Sequence, residues 1–241
     1  MPSLSLCLSA PAVLSVALLF VPGAARATAT GTTVAWGCGA GIDYGQCSVP
    51  PGLAGVAAIA AGSDHSLALM GDGSVIAWGC RSVDNGQCRV PSGLAGVTAI
   101  AAGSKHSLAL KSDGSVVAWG CGLDYRQCTV PSGLAGVIAI AAGDAHSLAL
   151  RSDGTVVAWG CGPGADYGQC SVPPGLSGVT AIAAGTYHSL ALKRDGTVVA
   201  WGCGGVGGNQ DFGQCSVPAG VTAIAASDVH SLGQRLGTLR G

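Results

Sequence analysis

Ten of the eleven cysteines in this chain come in pairs. The stretch "WGCGPGADYGQC", Trp159 to Cys170, holds two thiols around a tip reading Asp166-Tyr167-Gly168. Four more loops repeat the design, so that Cys161 with Cys170 is joined by Cys38 with Cys47, Cys80 with Cys88, Cys121 with Cys128 and Cys203 with Cys215. Two chemistries suit such pairs. Zinc wants four ligands, and each loop brings two thiols with no Cys-x-x-Cys to assemble the rest. In an exported chain an even count at recurring spacing reads as one disulfide per loop. No metal and no cofactor are expected, because phosphate-cradling glycine loops, HExxH, GxSxG and calcium-loop spacings are all missing.

Histidine offers acid–base or ligand chemistry, and His65, His106, His146, His188 and His230 recur 40 to 42 residues apart. That regularity spreads them over equivalent places instead of converging them on one acid or nucleophile. Alternation along a strand puts His106, Leu108 and Leu110 on one side, which predicts a buried imidazole hydrogen-bonded to backbone. Ser66, Ser107, Ser147, Ser189 and Ser231 follow the histidines directly and point to the opposite face of their strands, so no Ser-His couple is implied.

The loop tips remain as candidates for binding. Asp43-Tyr44, Asp84-Asn85, Asp124-Tyr125, Asp166-Tyr167 and Asp211-Phe212 occupy equivalent places, and Tyr187 adds an aromatic between the Gly and the His of one repeat. Aromatics on braced loops give contact area at low entropic cost. The competing reading is that the rings fold back over a neighbour while each Asp caps its own loop.

These residues are positioned by one repeat. Trp36, Trp78, Trp119, Trp159 and Trp201 lie 40 to 42 residues apart, and one unit reads "VTAIAAGSKHSLALKSDGSVVAWG" from Val97 to Gly120, followed by the cysteine loop and a Pro-Gly linker. "HSLAL" and "SVVAW" are short strands joined at an Asp-Gly pair, a hairpin signal. "VTAIAAG" is a third strand, and the residues after the second cysteine can supply a fourth that proline ends. Short strands of small and branched residues with little polar alternation suit sheets buried on both faces, with each Trp packed between them. The expected fold is an all-β propeller of about 41-residue repeats. "TTVAWG" at Thr32 to Gly37 is the second half of a hairpin and "VTAIAASDVHSL" at Val221 to Leu232 the first half. Pairing residues 31–37 with 221–232 would close five blades; the alternative is part of a larger, seven-bladed ring.

The pattern "AIAAGxxHSLAL..DGxVVAWG....GQ" resembles the repeat of the regulator of chromosome condensation family, over Gly31 to about Leu232. Its short period and Pro-Gly linkers are similar to those of secreted bacterial members, among them a β-lactamase inhibitor protein. The resemblance implies a propeller, usually of seven blades, that works by binding proteins. Here cysteine chemistry replaces the polar residue of the family's usual loop, and "HSLGQRLGTLRG" stands where a complete hairpin is expected.

Composition narrows the function further. With 49% hydrophobic and 10% charged residues the chain should fold, and its acidic residues are all Asp, which favours turns over helices. Residues 1–27 carry one charge, Arg26, and run from an apolar segment to Ala25-Arg26-Ala27, which reads as a cleaved signal peptide, with an uncleaved anchor as the competing reading; residues 28–241 form one domain. The formal charge of −1 gives a nucleic-acid partner no support. The sequence therefore predicts a secreted or cell-surface, monomeric, non-catalytic scaffold for an unidentified protein partner, with no membrane contact after signal cleavage. The alternative is an enzyme inhibitor of the β-lactamase inhibitor type.

Overall fold

In the computed structural model of the chain, residues 33–36, 38, 43–81, 84–122, 125–203, 212–227 and 229–235 are described. The segment expected to be a signal, Asp124, Asp211 and Asp228 lie outside them. Fourteen strands form among the described residues. The first blade is β1 (Val56–Ala61), β2 (His65–Met70) and β3 (Val75–Gly79); the second is β4 (Val97–Ala102), β5 (Ser107–Lys111) and β6 (Val116–Trp119). The third is β7 (Val137–Ala142), β8 (His146–Arg151) and β9 (Val156–Gly160), and the fourth is β10 (Val179–Ala184), β11 (Ser189–Lys193) and β12 (Val198–Trp201). A fifth sheet holds β13 (Ala223–Ala226) and β14 (Ser231–Gln234). Each sheet is antiparallel in chain order. The fourth strand expected after the second cysteine is not formed: Val90, Val130 and Val172 lie outside the strands, and their side chains pack against the interblade clusters.

Alternation explains the stacking. In "HSLAL" the residues His, Leu and Leu face the following blade, while Ser and Ala face the preceding one. Leu67 and Leu69 of the first blade thus share a cluster with Val97, Ala102, Ala109 and Trp119 of the second. Leu108 and Leu110 meet Val137, Ile140, Ala142, Ala149 and Trp159, and Leu148 and Leu150 meet Val179, Ile182, Ala184, Ala191 and Trp201. Trp78, Trp119, Trp159 and Trp201 are 6 to 9% exposed, so the indoles are interblade core, as expected.

Register fixes where the loops go. The end of the first strand opposes the start of the second, and the start of the second opposes the end of the third, as in Ala61↔Ser66 and His65↔Gly79. The Gly-x-x-His loops and the cysteine loops therefore share one face. The Asp-Gly turns, between second and third strands, lie on the other. There Asp72, Asp113, Asp153 and Asp195 accept the backbone N–H two residues on at 2.9 Å, and the following Gly takes positive φ.

The ends depart from the expected closure. Among the described residues, 33–36 lie in no strand and β14 pairs with β13 alone. Trp36 is 84% exposed and Val34 66%. A physical reason sits at the Gly-x-x-His loops. A Cβ at Gly62, Gly103, Gly143 or Gly185 would run into its own His ring and into the carbonyl oxygen of the next such residue, respectively Gly103, Gly143, Gly185 and Ser227. Blades stack this closely because those Cβ atoms are missing. Ser227 carries one, so a following blade cannot seat on the fifth sheet at the same spacing.

Candidate functional site

The five expected cysteine pairings all form, each within its own loop. Cys38 is bonded to Cys47, Cys80 to Cys88, Cys121 to Cys128, Cys161 to Cys170 and Cys203 to Cys215. Their Cα–Cα distances of 6.0 to 6.3 Å fall inside the normal disulfide range. In each loop the second cysteine, Cys47, Cys88, Cys128, Cys170 or Cys215, directly follows a glutamine, and that glutamine holds the rest of the loop. Gln87, Gln127 and Gln169 are at most 1% exposed and Gln214 is 4% exposed. The Gln Oε1 accepts the backbone N–H of the tip residue: Tyr44 from Gln46 and Asn85, Tyr125, Tyr167 and Phe212 from the other four, at 2.6 to 2.7 Å. The Gln backbone carbonyl turns the other way and accepts the Trp Nε1–H of the next blade, as in Trp78 to Gln46 at 2.9 Å and Trp201 to Gln169 at 2.8 Å. One residue thus ties a surface tip to an interblade indole.

The histidines complete this network. His65 Nε2 meets Ser107 Oγ at 2.9 Å, His106 meets Ser147 at 3.1 Å, His146 meets Ser189 at 3.0 Å and His188 meets Ser231 at 2.9 Å. The sequence reading of an imidazole bonded to backbone is corrected: the partner is the hydroxyl of the following blade. A Ser-His pair does exist, between repeats and not within one strand. Each acceptor hydroxyl spends its single proton on a Gln carbonyl, Ser107 on Gln87 at 3.2 Å and Ser189 on Gln169 at 2.9 Å. Nε2 must then carry a proton and donate it, leaving Nδ1 as the lone-pair nitrogen. A hydrolytic dyad needs the opposite flow, with Ser donating to His. The four imidazoles are fully buried, and burial lowers the pKa of His65 to about 4 and those of His106 and His146 to about 3. The ladder is therefore neutral and structural.

At the tips, Gly45, Gly86 and Gly168 N–H donate to Asp43, Asp84 and Asp166 Oδ1 at 2.7 to 2.8 Å. Asp84 also receives the Arg89 guanidinium at 2.8 Å. Those three aspartates cap their own turns while staying solvent-facing. The tips are also linked sideways, because Arg81, Gly122 and Gly162 N–H donate to Tyr44, Asn85 and Tyr125 carbonyls at 2.7 to 3.0 Å. Tyr44, Tyr125 and Tyr167 are half-buried, and Phe212 is 62% exposed. Tyr167 and Tyr187 sit edge to face with centroids 4.7 Å apart, an arrangement aromatic quadrupoles favour. Inward of the tips, Asp64 feels both Lys105 and Asp144, and its carboxyl lies above the ordinary value because it is partly buried. This small charge cluster joins three successive Gly-x-x-His loops on the same face. Among the described residues no group of three or more His, Cys, Asp or Glu could hold a metal.

Residues 56–87, 97–127, 137–169 and 179–207 match the sequence profile of the Regulator of chromosome condensation (RCC1) repeat, together more than half of the chain. The chain belongs to this family. In RCC1 repeat terms, each of the first three units runs from the first residue of a blade to the buried Gln that straps the loop, so that glutamine closes the repeat. Solved structures with this fold include Prp20p of Saccharomyces cerevisiae, described with its binding to Gsp1p and histones; it is 23% identical, with 76% of this chain and 56% of that one covered and a TM-score of 0.58. Human WBSCR16 is 22% identical, with 76% and 58% covered and a TM-score of 0.58. The ectodomain of the Physcomitrella patens receptor kinase CR4 is 24% identical, with 71% and 44% covered and a TM-score of 0.52. The chain thus spans about half the length of these relatives. No curated protein matches it by sequence. Among the described residues the architecture is an all-β RCC1-repeat propeller fold of four three-stranded blades and a two-stranded fifth, and five disulfides fit an oxidising environment.

Proposed function

We propose that this chain is an exported, non-catalytic binding scaffold whose cysteine-loop face holds a protein partner. The observation that carries the reading is the division of labour in each loop. Disulfide, buried Gln and sideways hydrogen bonds immobilise the backbone, while the tip side chain changes from Tyr44 to Asn85, Tyr125, Tyr167 and Phe212. Separations between paired cysteines range from 7, at Cys121 and Cys128, to 12, at Cys203 and Cys215, while the strands hardly change. Variable side chains on a fixed frame are how loops acquire partners. Tyr44, Tyr125, the Tyr167–Tyr187 pair and Phe212 supply the anchors. Asp43, Asp84 and Asp166 supply a polar, acidic rim, and the repeat assigns Asp124 and Asp211, outside the described residues, to the same role. Export rests on the apolar leader ending at Ala27 and on the paired cysteines.

Site-specific photo-crosslinking tests this face against the other. A benzophenone side chain placed at position 167 or at position 195, on opposite faces, should capture the partner from the first site alone. Equal capture from both, or capture from position 195 alone, contradicts the proposal.

A further inference from the structure

The exposed large apolar side chains gather at the two ends of the arc. Val34, Trp36 and Ile59 lie at the first end and Phe212, Val229 and Leu232 at the last, with Ile138 the sole exception among the described residues. The last end carries a groove between the fourth blade and β14. Five of its lining residues are Leu190, Val198, Val217, Val221 and Ile224. Each stands one repeat after a residue of the cluster around Trp201, namely Leu148, Val156, Val172, Val179 and Ile182. The groove is therefore the next indole site of the series, built by the same side chains, with no tryptophan of the described chain in it. At the other end is a tryptophan with no site. In the third strand of a complete blade, Val199 and Trp201 face the cluster, and Val34 and Trp36 repeat that two-residue spacing in "VAW".

We propose that this groove and the outer edge of β14 are the docking site for residues 33–36 of a second copy of this chain. The donated segment adds antiparallel to β14 as the missing third strand, as β12 adds to β11, and Trp36 of the second copy fills the groove. The complementarity comes from the interblade interface already formed three times within one chain. Ser227 does not obstruct this step: at the equivalent Gly185 a Cβ would meet the His188 ring and the Ser227 carbonyl oxygen of the following sheet, on the side away from the preceding blade. It does prevent regular stacking beyond the junction, so growth stops and the second copy's own groove takes the first copy's segment in return. Such reciprocal exchange closes a two-fold dimer. The inference is independent of the reading of the cysteine-loop face.

Light scattering on the purified chain over a hundredfold range of concentration should show a monomer–dimer equilibrium. Trp36→Ala removes the donated anchor and Val198→Asp puts a charge in the groove wall. In the single chain Trp36 is exposed and Val198 half-buried, so both variants should fold, be monomeric and melt together with parent diluted to its monomer. Mixed one to one they should form a heterodimer, because one retains the groove and the other the strand. A parent that is monomeric throughout, whether Trp36 is shielded by its own chain or open to solvent, overturns the proposal. So does a mixture that stays monomeric, or a single variant that dimerises as well as the parent.

Discussion

The two faces of the arc use the same local device and embed it differently. On the turn face, Asp153 Oδ1 accepts the Thr155 N–H and hydroxyl in full solvent, and the turn needs little beyond its own four residues. On the loop face, Asp166 makes the same kind of Asx contact, yet the tip beyond it hangs on Gln169, whose carbonyl holds Trp201 and Ser189 in the neighbouring blade. A turn held locally keeps one length. A loop anchored at its base through the core can vary at its tip, and the lesson is that variation is tolerated where the anchor is buried.

Acid should separate the two faces most strongly. The interblade ladder holds His65, His106 and His146 at about 4, about 3 and about 3, against 6.5 in an unfolded chain. Below pH 6.5 the unfolded state takes up protons that the folded state refuses. The stability these neutral imidazoles give is whole above pH 6.5 and is lost as pH falls toward 4 and then 3. On the turn face, the Ser115 hydrogen bonds hold Asp113 at about 2, below its ordinary 3.8, so its contribution persists above pH 3.8 and goes only as pH falls through about 2. Thermal melts between pH 6.5 and 4 should therefore lose several kcal/mol, up to about 1.4 kcal/mol per pH unit for each buried imidazole. His106→Gln, which keeps a donor and does not titrate, should flatten that slope. An unchanged slope would place the acid sensitivity elsewhere.

Truncation should show the same asymmetry. Gln169→Ala removes the strap of one tip, leaves the Tyr167 N–H and the Ala165 carbonyl without their partner and opens a cavity; about 3 kcal/mol should be lost. Asp153→Ala on the turn face should cost less than about 1 kcal/mol. Urea unfolding of the two variants compares them directly, and equal losses would dissolve the distinction between the faces. A smaller effect of opposite sign is expected at Arg126, which holds φ of 68° where Gly45, Gly86, Gly168 and Gly213 stand in the other loops. Arg126→Gly should raise stability by about 1 kcal/mol if relief of the left-handed backbone outweighs lost side-chain contacts, read from the same urea titrations.

Periodicity made the strands, the Asp-Gly hairpins, the five cysteine pairs and the buried indoles readable from the sequence. Each is dictated within one repeat. The histidine partner was missed because alternation was applied within a strand, where His106 and Ser107 face apart, and not across the stack, where a His facing forward must meet a Ser facing back. The spacing of 41 to 43 residues between partners was already visible. The sequence left closure into five blades and part of a larger ring as alternatives for a different reason. Matching half-hairpins at the two ends says that a strand and an edge are complementary, but whether another blade can seat depends on one Cβ, at Ser227, whose effect emerges only from the interblade distance. Among the tips, the sequence proposed Asp caps and Asp contacts as alternatives, and the structure gives Asp43, Asp84 and Asp166 a capping bond while leaving each open to solvent.

The central claim is that the cysteine-loop face binds and that its tips are contacts more than lids. The direct measurement is a paired one on the double variant Tyr125→Ala, Tyr167→Ala: affinity for the partner captured at position 167, and melting temperature of the same protein. If the tips are hot spots, binding should weaken by about 2 kcal/mol or more, roughly thirtyfold in dissociation constant, with a much smaller change in stability. A large fall in melting temperature with unchanged affinity would show that Tyr125 and Tyr167 serve as covers for the neighbouring blades and that the partner sits elsewhere.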